Sequence, residues 1–279
     1  MSESASASDP VNDIDPVAAA APPVWPRNLP PHLRPVRLLG AGGSARVWLA
    51  RDRRSGRHVA VKVVELAAGP LGTTGVSLRR VRFEREARSL ARLGGHPGVP
   101  CVVALGVDLD GVAWMLNEFV VGPTLADRVL GGDPLDADEA VAVLVGAAEA
   151  LATAHEHGVV HGDVNPANVV LGSTGPVLVD FGVGGLDGDG GDAAITPLVA
   201  SPERLAGAGP STADDTHALA ATIRWSMCPR AVLPASVEAR LDACVAPSAA
   251  ERPTAAALAV ALGGRGTTRS GWGRRASRR

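Results

Sequence analysis

Tyrosine, lysine, cysteine and long apolar runs are all scarce or absent in this 279-residue chain. With no tyrosine at all, any covalent modification of a side-chain hydroxyl must fall on serine or threonine. The three cysteines, Cys101, Cys228 and Cys244, are far apart and odd in number. They offer neither a disulfide framework nor metal-ligand spacing, and they fit a reducing compartment with buried thiols. No run approaches the length of a membrane span, and the N-terminus lacks a basic region followed by an apolar stretch. Neither a membrane span nor a signal peptide is expected, and the expected location is the cytoplasm. A formal charge of −2 and a pI near 6.4 give no global attraction for nucleic acid.

Lysine is the most informative scarcity. Lysine and arginine together number 27, and Lys62 is the single lysine. Arginine-rich coding explains such a ratio on a solvated surface. It does not explain one exception inside HVAVKVV, residues 58–64, where a charge among β-branched apolar residues is costly without a partner. That site calls for a compact, flexible ammonium that a guanidinium fork cannot replace.

The hydrophobic fraction, 46%, allows a sizeable core, and the length suits one large domain or two lobes with tails. Residues 1–31, rich in Ser, Ala, Pro and Asp, read as a disordered arm. Residues 264–279, rich in Gly, Arg and Ser, read as a disordered basic tail; Ser277, flanked by basic residues, is a candidate modification site there. Between them, VRLLG, ARVWLA and HVAVKVV are short β-type runs broken by glycine and the RDRRSGR turn. SLRRVRFEREARSLARL reads as a helix ending at Gly94-Gly95. CVVALGV and VAWMLNEFV read as two more strands. Beyond Gly122 the pattern turns helical, at about 137–157, 212–228, 234–245 and 253–262, with short strands at 159–160, 168–171 and 177–180. The class is α+β: a small sheet lobe with one helix over 32–118, then a larger helical lobe over 119–263.

Several motifs in this frame carry chemistry. LLGAGGSARV places Gly40, Gly42 and Gly43 between two strands, where missing Cβ atoms let backbone N–H groups approach a polyphosphate. Lys62 follows on the next strand, within reach of the same phosphates. Glu86, on the helix after it, supplies a carboxylate to balance the lysine. In VVHGDVNPANVVL, Asp163 and Asn168 stand five residues apart in a loop before a strand. VLVDFG then puts Asp180 at a strand end. A carboxylate able to accept a hydroxyl proton, with an Asn and a second Asp as oxygen ligands, suits Mg²⁺-assisted phosphoryl transfer.

In this ordered set the chain resembles the eukaryotic-type (Hanks-type) serine/threonine protein kinases of bacteria, over about residues 33–263. GAGGSARV stands for the Gly-rich loop, VAVK for the lysine strand, FEREA for the partner glutamate, HGDVNPAN for the catalytic loop and DFG for the metal-binding turn. ITPLVASPE ends the activation segment, Asp215 matches the family's catalytic-loop anchor, and Arg252 pairs with Glu203. The resemblance implies a two-lobed fold and ATP and Mg²⁺ as cofactors. It implies a catalytic set of Asp163, Lys62, Glu86 and Asn165, with Asn168 and Asp180 as metal ligands. Leu39, Val47 and Ala60 would lie above the adenine and Val170 below it, with backbone groups of Glu118 and Val120 hydrogen-bonding its edge. The implied partner is a protein with a Ser or Thr acceptor, Thr196 marking that preference. Asn117 falls at the gatekeeper position, where the family more often carries an apolar residue.

The catalytic loop departs from the family's HRDxKxxN. Ala45 replaces the third loop glycine, Gly162 the arginine and Asn165 the lysine. Losing the lysine removes a positive charge beside the transferred phosphate and predicts modest activity. The missing arginine normally receives an activating phosphate. Between Asp180 and Glu203 the only hydroxyls are Thr196 and Ser201, so activation by loop phosphorylation is not expected. Two other readings stay open. One is a pseudokinase scaffold that binds nucleotide or partner without catalysis. The other is a small-molecule kinase resembling the aminoglycoside and choline phosphotransferases, which share the HGD sequence.

Overall fold

The computed structural model describes Trp25 and residues 29–41, 45–65, 84, 87–88, 90–93, 95–107, 112–181 and 196–264. Gly42, Gly43, Glu86 and Ser277, with nearly all of the two predicted tails, lie outside the described residues.

The first lobe is a five-stranded antiparallel sheet of β1 (Leu33–Ala41), β2 (Ala45–Asp52), β3 (His58–Glu65), β4 (Val102–Val107) and β5 (Val112–Glu118), ordered β1-β2-β3-β5-β4. Alternation along each strand gives the sheet two apolar faces with different partners. Trp48, Ala50, Val59, Val61, Val63 and Leu116 form an outer cluster with Leu33 and Leu29. Trp25 closes it edge-on against Trp48, ring centroids 5.4 Å apart. The packed region therefore begins inside the stretch assigned to the N-terminal arm. Leu29 is 7% exposed because the outer sheet face is apolar and needs a cover. The opposite face carries Val47, Ala60, Lys62, Met115 and Asn117, fixed by the pairs Val47↔Lys62, Lys62↔Met115 and Ala60↔Asn117. Of the expected helix before β4, Glu84, Ala87, Arg88 and residues 90–92 are helical, and Ala87, Leu90 and Leu93 are buried.

The second lobe holds α1 (Leu125–Leu130), α2 (Ala137–Glu156), α3 (Pro202–Leu205), α4 (Thr212–Ser226), α5 (Ala235–Cys244) and α6 (Ala255–Ala261). The ribbon of β6 (Val169–Gly172) and β7 (Gly175–Leu178) lies beside them. Helix starts are written locally. Thr124 with Asp127, Asp136 with Glu139 and Ser211 with Asp214 form reciprocal capping boxes at α1, α2 and α4. The axis is α2, whose Ala140, Val143, Leu144, Ala147, Ala148, Leu151 and Ala154 are buried; its small residues let neighbours approach closely. The expected strand at 159–160 is absent. Gly158 N–H donates to His155 O and Val159 N–H to Ala154 O, so these residues close α2 as a Schellman motif and Val159 packs inward. The strand expected to reach Asp180 ends at Leu178.

The lobes are joined by residues 119–122, which are stitched to β6. Leu171 N–H donates to Pro123 O at 2.9 Å, and Thr124 bridges to Val170. At Gly122 (φ +156°) an added Cβ would lie 2.2 Å from the Leu171 carbonyl oxygen, so only glycine fits this crossing. Among the described residues, no helix is long and apolar enough to cross a membrane.

The outer cluster makes a direct prediction. Leu29→Ala removes a buried side chain from the outer cluster and lowers unfolding free energy by about 2 kcal/mol, read by urea denaturation. An unchanged midpoint would show that the segment before β1 adds nothing to the sheet.

Candidate active site

The cleft face of the sheet presents Lys62 from the middle of β3. It is 8% exposed, and its Nζ lies 2.6 Å from Asp180 Oδ1. The lone lysine is thus paired with a carboxylate 118 residues away, and the aspartate beyond β7 reaches across to β3. Asp180 holds φ +62°, a left-handed conformation uncommon for a non-glycine residue and frequent at functional turns.

The loop between α2 and β6 carries Asp163. Its Oδ2 accepts from Asn168 Nδ2 at 3.1 Å and its Oδ1 from Thr196 Oγ1 at 3.2 Å. Asn168 Nδ2 also donates to the Asp163 carbonyl at 2.9 Å. Asn165 is built into the frame of the loop. Its Nδ2 donates to Asp163 O at 3.1 Å, its Oδ1 accepts from Ala167 N–H at 2.9 Å, and the side chain is buried. It caps the 3₁₀ turn Pro166–Asn168, which makes it a positioning residue for Asp163 and Asn168.

What holds the loop is Asp215 in the first turn of α4, 1% exposed. Its Oδ2 accepts from His161 N–H and its Oδ1 from Gly162 N–H, each at 2.8 Å, while His155 Nε2 contacts Oδ2 at 2.8 Å. Gly162 sits at φ +77°, and an added Cβ would lie 3.2 Å from Pro210. Glycine therefore takes this turn without the strain that a larger L-residue would carry.

His161 is the functional residue that motif spacing did not isolate. It is fully buried, and burial pushes its imidazole pKa below the ordinary value, against the pull of Asp215, Asp163 and Asp180. The neutral ring places Nε2–H toward Val179 O at 3.0 Å, and Nδ1 accepts from Asp163 N–H at 3.3 Å. The ring also packs on Phe181, centroids 4.5 Å apart. It links the Asp163 loop to the Asp180 turn, a pairing between distant segments that no local pattern encodes. Burial is the main cause of a raised Asp163 pKa, opposed by side-chain hydrogen bonds from Asn165 and Thr196.

Around this centre, Val47 and Ala60 share the face of Lys62, and Leu39 occupies a bulge of β1 whose next residue, Gly40, pairs with Val47. Glu118 ends β5 with its N–H on Cys101 O. Val120 lies half-buried in the linker, and Val170 is buried in β6. The structure thus brings together Lys62, Asp180, Asp163, Asn165 and Asn168, with Thr196 added. Ser201, the other hydroxyl of the segment before Glu203, is 1% exposed. Its hydroxyl donates to Asp214 and accepts from Arg204 N–H at the start of α3. Beside Asp163 lies a depression lined by Gly162, Thr196, Val199, Arg204 and Ala218. Below it Arg252, its side chain wholly buried, donates to Glu203 at 2.8 and 2.9 Å.

The two-lobed fold thus brings one lysine and two carboxylates together at its junction. The protein kinase domain model matches residues 33–253, and the chain belongs to the protein kinase family. It is 38% identical over 183 residues to the "Probable serine/threonine-protein kinase SCO3848" of Streptomyces coelicolor, covering 61% of this chain and 26% of the relative. It is 34% identical over 223 residues to serine/threonine-protein kinase PknK of Mycobacterium tuberculosis, covering 76% and 19%. The chain spans about a quarter or less of the length of these two relatives. Among solved structures, the Mycobacterium tuberculosis PknI kinase domain matches at TM-score 0.62 and 29% identity, covering 88% of this chain and 98% of that one. Rad53 in complex with AMP-PNP matches in fold at TM-score 0.65, 18% identity, covering 82% and 64%.

The Glu203–Arg252 pair sets an acid limit. The Arg252 hydrogen bonds hold the Glu203 pKa at about 2, against an ordinary 4.5. Its stabilisation is full above the ordinary value and is lost as pH falls from there toward about 2. Glu203→Gln is expected to lower the melting temperature at neutral pH and to flatten its fall over that acid window. A mutant curve parallel to wild type would assign acid loss elsewhere.

Proposed function

We propose that this chain transfers the γ-phosphoryl group of ATP, with Mg²⁺, to serine or threonine hydroxyls of proteins, at modest rate and in the cytoplasm. The observation that carries this reading is the Asp163 carboxylate, held by Asn168 and Thr196 across from the Lys62–Asp180 pair. The kinase family of the chain and the serine/threonine-kinase names of its relatives support it. All three cysteines are free, but only Cys244 is buried; Cys101 is exposed, against the expectation of buried thiols.

The donor set fits Mg²⁺. Asn168 commits its Nδ2 hydrogens to Asp163, leaving Oδ1 as an oxygen donor, and Asp180 supplies carboxylate oxygens. Few protein oxygens suit a cation that draws its remaining ligands from phosphate and water. When bound, Mg²⁺ neutralises charge on the phosphates. Lys62 grips the phosphates from above, balanced by Asp180 and, in this reading, by Glu86; Gly40, Gly42 and Gly43 cover them. The base lies between Leu39, Val47 and Ala60 above and Val170 below, with its edge on the linker at Glu118 and Val120. Asp163 orients the acceptor hydroxyl and takes its proton. Asn165 keeps that carboxylate in place but brings no charge, and this accounts for the modest rate.

The test is phosphate incorporation, by intact-protein mass, into the chain itself and into a Ser/Thr peptide library, with Mg²⁺ and ATP. Wild type is expected to label Ser or Thr and Asp163→Asn to lose about 100-fold or more. Equal labelling by both proteins would remove Asp163 from the chemistry. No labelling, and no thermal stabilisation by Mg²⁺–ATP that Lys62→Met abolishes, would overturn the reading in favour of a scaffold. Labelling of small hydroxyl compounds alone would make the acceptor a small molecule.

The raised Asp163 pKa predicts a pH profile. Asp163 must be ionised to act, so the rate falls as pH drops through a value above the ordinary 3.8. Thr196 donates a hydrogen bond that lowers this pKa, so Thr196→Val moves the acid limb to higher pH. A limb that does not move would show that another group controls it.

A further inference from the structure

The sheet lobe carries more positive charge than its own residues balance. Between Leu33 and Val64 the sequence has seven arginines and one carboxylate, Asp52. Asp52 is already engaged, accepting from Arg54 N–H at 2.8 Å and from Ser55 Oγ at 2.7 Å. Three of the basic residues are aligned by register. Arg34 lies directly opposite Arg51, and Arg51 directly opposite His58, so the three share one face and form a row across β1, β2 and β3. Arg53, Arg54 and Arg57 extend the row into the exposed turn between β2 and β3. Like charges set opposite each other in a sheet repel. Arg34 turns part of its guanidinium to the carbonyls of Pro31 and Leu33. Arg51, Arg53 and Arg57 have no carboxylate partner among the described residues. The row ends beside the linker, where the His58 ring stands edge-on to Phe119, centroids 6.4 Å apart.

A segment of complementary charge stands in the same chain. Residues 1–24 hold Glu3, Asp9, Asp13 and Asp15 and no Lys or Arg. The stretch from Pro16 to Val24 is uncharged, and the next residue, Trp25, packs against Trp48 on the other face of the same sheet. Trp25 thus delivers the acidic segment to this lobe. The chain from Trp25 back to Asp15 spans up to about 35 Å, whereas β2, eight residues long, extends about 26 Å. The acids therefore reach round β1, an edge strand, where Arg34 is the first base of the row. The helical lobe repels such a segment, because residues 119–264 hold 18 carboxylates and six arginines. We propose that the acidic segment from Glu3 to Asp15 docks on the Arg34–Arg51–His58 row of its own sheet lobe, held by charge and not by a fold of its own. Docked there, it lies against the linker end of the face that carries Ala60 and Lys62.

The experiment reads the backbone amide signals of residues 9–15 by NMR in the full chain, at about 20 mM salt and at about 0.5 M, where such charges are screened. In wild type at low salt their order parameters are expected above about 0.6. Arg34→Gln combined with Arg51→Gln is expected to shift these signals and to drop the order parameters below about 0.6, and high salt to do the same. A control pair on the helical lobe, Arg230→Gln with Arg240→Gln, is expected to leave them where they are. Low order parameters in wild type, or signals indifferent to the row, would overturn the proposal. Equal movement with the control pair would mean unspecific attraction and overturn it too. Order that rises with protein concentration would put the segment on a second copy, again against the proposal. If the row variant does not fold, Asp9→Asn, Asp13→Asn and Asp15→Asn together leave the sheet unaltered. They are then expected to move the Arg34 and Arg51 amide signals, and signals that stay in place would overturn the docking.

Discussion

The arrangement of the active centre depends on one buried carboxylate. Asp215 accepts two consecutive backbone N–H groups, from His161 and Gly162, and so dictates the path of the chain just before Asp163. Each of those N–H groups, left unpaired in the interior, would cost about 1–3 kcal/mol, a large share of the marginal stability of a domain. The constraint then propagates. With the His161 backbone fixed, its ring meets Val179 O and Phe181, which places the turn where Asp180 takes its left-handed conformation and meets Lys62. A helix in one lobe thereby positions a lysine contact in the other through a short series of hydrogen bonds.

The sheet lobe answers to a second constraint, that of register. Lys62 and Ala60 face the cleft while Val59, Val61 and Val63 face outward. A slip of one residue would turn the lysine into an apolar cluster and three valines toward the cleft. Both faces are covered by apolar contacts, so such a slip is opposed twice. Trp25 and Leu29 take part in this, because they complete the outer cluster that makes the register unambiguous.

Legibility in the sequence followed the range of the interaction. The starts of α2 and α4 met expectation, each with a capping residue and its partner three apart, as in Asp136 with Glu139, whereas the equally capped α1 was not foreseen. Lys62 was readable because a lone charge in a β-branched run contradicts its surroundings. Two features stayed hidden, the role of His161 and the cover provided by Leu29, because each depends on a partner far along the chain. The pair at 159–160 misled for a related reason. Two valines satisfy a strand pattern as well as a helix stop, and Gly158 decides between them only through the carbonyls behind it. Asn165 was legible as a departure, but its use of both amide ends on the loop backbone was not.

The departures at Gly162 and Asn165 belong to one design. Where the family carries an arginine and a lysine, this loop carries a residue with no side chain and a neutral amide. In each case the position serves the backbone. Gly162 takes the φ +77° turn under Asp215, and Asn165 caps the turn that leads to Asn168. In place of two cations, the loop has a glycine turn and an amide bonded to its own backbone. The positive charge that the structure places at the centre is then Lys62, already paired with Asp180. Without a neighbouring cation in its own loop, the Asp163 carboxylate is held by neutral donors, Asn168 and Thr196. Neutral hydrogen bonds offset burial less than a charge does, and the direction of the Asp163 shift follows from that balance. A carboxylate with a raised pKa is a stronger base once ionised. On the proposed function, the exchange would give up charge near the transferred phosphate while strengthening Asp163 as the base.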